Sequence, residues 1–241
     1  MKKHILVLLL SLIQLSCNHG YNTNVANSQN LLPIKSVQTY SDGQVYGGHF
    51  EYKGDKLTKS VDVNNKYYAL YHYTGDLITK IEQYAKNKKI INTLFFEYDT
   101  ENRLVKEYSS DGIEINYIYN PDGSITAQNE NNSKTIYVNN NKIVKEQYES
   151  GDTYEYEHDN KNNPLKNIIG MDKLFYSNEF GNMGTFFNII KKKQINSLNP
   201  FTAKSDFSYN EKDFPTEERY VQIDEQNKIV DNFTIVYHYN N

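Results

Sequence analysis

The stretch Phe95-Phe96-Glu97-Tyr98-Asp99-Thr100-Glu101-Asn102-Arg103-Leu104-Val105-Lys106-Glu107-Tyr108 constrains the fold more than any other part of the chain. Aromatic residues alternate with a polar one, a polar turn follows, and Leu-x-Lys restarts the alternation. Period-two patterning on both sides of a short turn rich in Asp, Asn or Gly is the signature of a β-hairpin. The unit recurs. Phe50-Glu51-Tyr52, Tyr71-His72-Tyr73, Tyr117-Ile118-Tyr119, Ile136-Tyr137-Val138, Tyr154-Glu155-Tyr156, Phe207-Ser208-Tyr209 and Tyr237-His238-Tyr239 each precede a turn signal or the chain's end. Leu57-Thr58-Lys59, Ile78-Thr79-Lys80 and Ile143-Val144-Lys145 each follow one. Repetition on this scale means an architecture in which each hairpin buries itself against its neighbours.

Turn signals run from Asp42-Gly43 to Asn160 at intervals of roughly 9 to 14 residues, and no stretch between them holds a helical period. The 22 Tyr and the absence of Trp suit half-buried sheet surfaces, and abundant Asn suits turns that need positive φ. The expected fold is all-β: one long, twisted antiparallel meander of about 14–17 strands in sequence order.

Residues 165–205 break the period. They gather Ile168, Ile169, Met171, Leu174, Phe175, Tyr176, Phe180, Phe186, Phe187, Ile189 and Ile190, with Gly170, Gly181 and Gly184 between them. This segment reads as a capping insertion over the aromatic face, with room for a short helix at Met171–Asn178. It is either permanent core or the wall of a ligand pocket. In the second case Phe175, Tyr176, Phe186 and Phe187 are the candidate ligand contacts. Lys191-Lys192-Lys193 reads as a solvated edge.

The N-terminus reads as a targeting segment. Lys2 and Lys3 precede an apolar run from Ile5 to Leu15, too short for a spanning helix but suited to a signal peptide. Cys17, the single cysteine, follows at once. An unpaired cysteine there resembles the lipobox of bacterial lipoproteins, with Gln14 where that motif usually has Leu. The resemblance implies a lipidated Cys17, a signal peptide over 1–16 and a flexible tether over 17–33. One hairpin-repeat domain then spans 34–241. The polar stretch 18–30 has a coil reach of about 20 Å.

Tyr98-Asp99-Thr100-Glu101-Asn102-Arg103-Leu104 is similar to the Tyr-Asp repeat of Rhs and teneurin shells. Tyr119-Asn120-Pro121-Asp122-Gly123-Ser124-Ile125 keeps the Gly usual in that repeat. From residue 34 to 239 the chain resembles Bacteroidota envelope lipoproteins built from such hairpins. That likeness implies lipid anchoring, outer membrane included, with either leaflet open.

The chemistry is less legible. His72 and His238 occupy the middle of the aromatic triplet, on one face with Glu51, Glu97 and Glu155 if the registers match. Such a face could bind a metal, but no ligand spacing marks one, and cross-strand Glu–Lys pairing explains it equally. No nucleophile elbow, phosphate loop or zinc motif is present. The net charge of −4 gives no footprint for nucleic acid. The expectation is a non-catalytic envelope protein, without cofactor, catalytic residue or metal, that binds a small ligand or an envelope partner. The alternatives are a structural or assembly protein and, last, a carboxylate-dependent hydrolase.

Overall fold

In the computed structural model, residues 30–180 and 186–240 are described. Sixteen antiparallel strands follow one another in sequence order: β1 (Pro33–Tyr40), β2 (Val45–Lys53), β3 (Lys56–Asp62), β4 (Tyr67–Thr74), β5 (Leu77–Ala85), β6 (Ile90–Tyr98), β7 (Leu104–Ser109) and β8 (Glu114–Tyr119), then β9 (Ile125–Gln128), β10 (Ser133–Asn139), β11 (Lys142–Tyr148), β12 (Thr153–His158), β13 (Ile189–Ile195), β14 (Phe201–Tyr209), β15 (Pro215–Asp224) and β16 (Ile229–Tyr239). The meander is as expected, but it does not stay open. β1 pairs β16 from Lys35↔His238 to Tyr40↔Phe233, so the sheet closes into a barrel. Closure gives every strand two partners and removes the exposed edges of an open sheet. The expected lysine edge is accordingly an interior strand. β13 pairs both β12 and β14, and Lys191 and Lys193 stand opposite Glu157 and Glu155.

The Tyr-Asp unit works through its side chains. Asp99 Oδ1 accepts the N–H groups of Glu101 and Arg103, both at 2.9 Å, and this holds the turn. Asn102 follows at φ 58°, a conformation Asn tolerates. The tyrosine before the turn donates its hydroxyl to a carbonyl at the start of the preceding strand. Tyr52 reaches Pro33 at 2.6 Å, Tyr98 reaches Ile78 at 2.7 Å, Tyr119 reaches Leu104 at 2.9 Å, and Tyr239 reaches Pro215 at 2.8 Å.

A bulge accompanies several of these hairpins, although the one that begins at Tyr119 pairs without one. Tyr98 pairs Leu104 and Glu97 pairs Lys106, so Val105 is the extra residue. Thr58, Thr79 and Val144 hold the same place in their own ladders. The bulge shifts the alternation by one. Leu104 and Glu107, three apart, therefore both face inward, as do Ile143 and Glu146.

The outer wall is charged. Glu51 meets Lys59 at 2.8 Å, Lys106 meets Glu114 at 3.0 Å and Glu157 meets Lys191 at 2.6 Å. Glu82 holds both Lys80 and His72.

Sixteen strands enclose a lumen wide enough for a channel, and here the chain fills much of it. Between β12 and β13 the described residues 159–180 and 186–188 form an interior plug. Leu165, Ile168, Met171, Leu174, Tyr176 and Phe180 join one core with Phe50, Tyr52, Leu57, Ile78, Phe96, Leu104 and Tyr117 of the wall. This corrects the cap over 165–205: residues from Ile189 onward belong to the barrel wall, and the described residues 165–180 and 186–188 lie within it. The apolar surface is buried more completely inside a closed barrel than over an open face. The helix expected over Met171–Asn178 is one 3₁₀ turn, Met171–Lys173. It starts from Gly170 at φ +85°, where an added Cβ would lie 2.8 Å from the Asp76 carbonyl oxygen.

Candidate functional site

The bulge places one residue of each affected strand on a ring halfway along the barrel. Ser60, Ile81, Glu107, Glu146 and Glu218 stand on it, each three residues after the strand's first inward side chain. Each polar member meets a tyrosine two positions beyond its direct cross-strand neighbour. Ser60 Oγ lies 3.3 Å from the Tyr71 hydroxyl, and Tyr117 bonds Glu107. Tyr156 donates to Glu146 at 2.6 Å and Tyr237 to Glu218 at 3.0 Å. Where the ring residue is Ile81, the corresponding position holds Phe96. Hydroxyls thus appear where a buried polar atom needs one.

The plug lies against the wall from β2 to β12. Asn178 N–H donates to Glu107 Oε1 at 3.1 Å and to the Tyr117 hydroxyl at 2.9 Å. Leu104 N–H donates to the Tyr176 hydroxyl at 3.2 Å, and Tyr176 also bonds Tyr119. Burial lifts the Glu107 carboxyl to about 7, against the opposing pull of its Tyr117 bond, and the Glu179 charge lifts it further.

Opposite this contact, between the plug and the strands β1 and β13–β16, a cavity of about 230 Å³ remains. Its walls are largely apolar: Pro33, Phe50, Leu165, Ile189, Phe207, Tyr220, Phe233 and Ile235. Tyr220 and Phe233 stack at 4.3 Å with their planes 7° apart. The polar residues on it are Ser36, Asn163, Asn188, Lys192, Ser205, Glu218 and Tyr237. The Glu218 carboxylate accepts from Ser205 Oγ at 2.6 Å and from Tyr237, and burial raises its pKa. Ser36 is 3% exposed and Asn188 2%, yet Ser36 Oγ and Asn188 Oδ1 have no hydrogen-bond partner among the described residues. An apolar cavity with a few convergent polar groups is the form of a small-molecule site.

The four residues singled out from the sequence lie elsewhere. Phe175 packs edge-on to Tyr176 at 4.7 Å and to Phe186 at 6.1 Å. Phe187 lies under the Lys142 ammonium at 4.3 Å. None of them lines this cavity, whereas Leu165, Asn188 and Ile189 bring the ends of the same segment to it. Glu218, Ser36 and the aromatic wall of β14–β16 escaped the sequence reading. Their one signal was the run Pro215-Thr216-Glu217-Glu218, which repeats the bulged strand start. Cys17 lies outside the described residues. No group of three His, Cys, Asp or Glu among the described residues is placed to hold a metal ion.

No protein-family model matches the chain. No curated protein matches it either. Among solved structures it is similar to a porin-like protein from Bacteroides uniformis ATCC 8492, at 12% identity and a TM-score of 0.39, over 86% of this chain and 96% of that one. It is also similar to a porin-like protein from Bacteroides vulgatus ATCC 8482, at 13% identity and a TM-score of 0.34, over 88% and 99%.

Proposed function

We propose that this chain is a non-catalytic envelope lipoprotein, held on the outer membrane through Cys17, whose barrel carries a small ligand in its interior cavity. The cavity carries the reading: it lies between plug and wall, is largely apolar, and has a few polar side chains on it, Glu218 among them. At about 230 Å³ it falls below the roughly 300–1,000 Å³ of drug-sized sites, which suits a ligand of one ring or a short chain. The charged exterior fits a barrel that stands in water, with lipid at the end of the tether supplying the attachment.

Native mass spectrometry of the full chain, purified from its own host, tests this. The expected result is an added mass on the wild type that is lost from Ile235→Trp, which fills the cavity, while thermal unfolding stays cooperative. A bare polypeptide mass in both proteins, under conditions that preserve the fold, would overturn the proposal.

A further inference from the structure

Three glutamates stand on the inner ring, and their surroundings differ. Glu146 has the Lys134 ammonium at 2.6 Å. Glu107 has the plug, through the Asn178 N–H. Glu218 opens on the cavity, and its partners are the Ser205 and Tyr237 hydroxyls. Burial raises its pKa and the two hydroxyls oppose the rise. The ammonium on the cavity wall, Lys192, lies over the Tyr154 and Tyr156 rings at 4.6 and 5.6 Å, and its charge couples to Glu146 and Lys134.

The wall beside Glu218 is aromatic. Phe207, Tyr220 and Phe233 line the same space. Ring faces attract cations, most strongly where water is excluded, and aromatic walls beside a carboxylate are well matched to an ammonium group. An anionic guest would meet a second negative charge there. A neutral guest would leave the carboxylate without a countercharge.

We propose that the cavity takes a small organic cation, an alkyl- or arylalkyl-ammonium, with its charged nitrogen beside the Glu218 carboxylate and its apolar body on Phe207, Tyr220 and Phe233. The inference rests on the reading of the barrel as a ligand-binding module and names the class of ligand. It also assigns Glu218 a role that differs from those of its two counterparts on the ring. Glu107 meets the plug and Glu146 meets the Lys134 ammonium, whereas the ligand supplies the countercharge of Glu218.

Calorimetric titration of the full chain with benzylamine, benzyl alcohol and benzoate at pH 7 separates the possibilities. Benzylamine should bind about tenfold or more tighter than the alcohol. Glu218→Gln should abolish the preference while leaving binding of the alcohol. Tyr237→Phe should retain the preference. Should Glu218→Gln fail to fold, the three-probe comparison on the wild type still decides. Alcohol or benzoate binding as tightly as benzylamine overturns the cation assignment and leaves the cavity's binding role standing. If none of the three binds, and native masses of wild type and Ile235→Trp are both bare, the binding role falls and the assignment falls with it.

Discussion

The Tyr156 hydroxyl donates to Glu146 Oε2 at 2.6 Å while Lys134 holds the other carboxylate oxygen at the same distance, so a buried charge pair is completed by a phenol from the next strand. The pair is well enclosed, with side chains 11% and 5% exposed. Enclosure makes removal of either partner expensive, because the charge left behind keeps its desolvation penalty. Tyr156→Phe should lower stability by about 1–3 kcal/mol. Lys134→Met should lower it by about 3–5 kcal/mol. Urea unfolding of both variants checks the order, which reverses if the phenol matters more than the ammonium.

The attachment of the plug depends on one glycine. Gly170 has φ +85°, and a Cβ there would press on the Asp76 carbonyl. Gly170→Ala should cost about 1–3 kcal/mol through backbone strain. It should also raise hydrogen exchange in residues 165–180 above that of the barrel strands. Exchange that rises equally everywhere would mean that plug and wall form a single cooperative unit.

Stability should fall with rising pH. The Glu107 carboxyl titrates at about 7 in the folded barrel against 4.5 ordinarily. The folded state therefore favours its protonated form. That stabilisation is whole below pH 4.5 and is lost as pH rises through about 7. The difference corresponds to on the order of 3 kcal/mol. Glu107→Gln should flatten this part of the profile in denaturant titrations between pH 4 and 8. An unchanged slope would remove Glu107 as its source.

Anchoring is tested separately. Cys17→Ser should move the chain from the membrane fraction to the soluble fraction of its host, since acyl chains on this residue are the proposed attachment to lipid. A variant that still sediments with membranes would overturn lipidation at this position.

The Tyr-Asp units determined the hairpins, their order and their antiparallel pairing, because turn chemistry and alternation are local properties that a few adjacent residues carry. Asp99 caps its own turn two to four residues away, and Asn102 supplies the left-handed step. The lipobox-like placement of Cys17 is equally local. Three matters were decided only in three dimensions. Closure depends on Lys35 meeting His238, a contact between the chain's two ends that no local pattern encodes. The segment after His158 turns inward rather than capping a sheet because closure creates a lumen for its apolar residues to fill. Finally, strict alternation from Leu104 would send Glu107 outward. The extra residue Val105 turns it inward instead, and the same slip after Pro215 carries Glu218 to the cavity. A bulge changes which face every later side chain occupies, so one residue of register separates a solvated glutamate from a buried site.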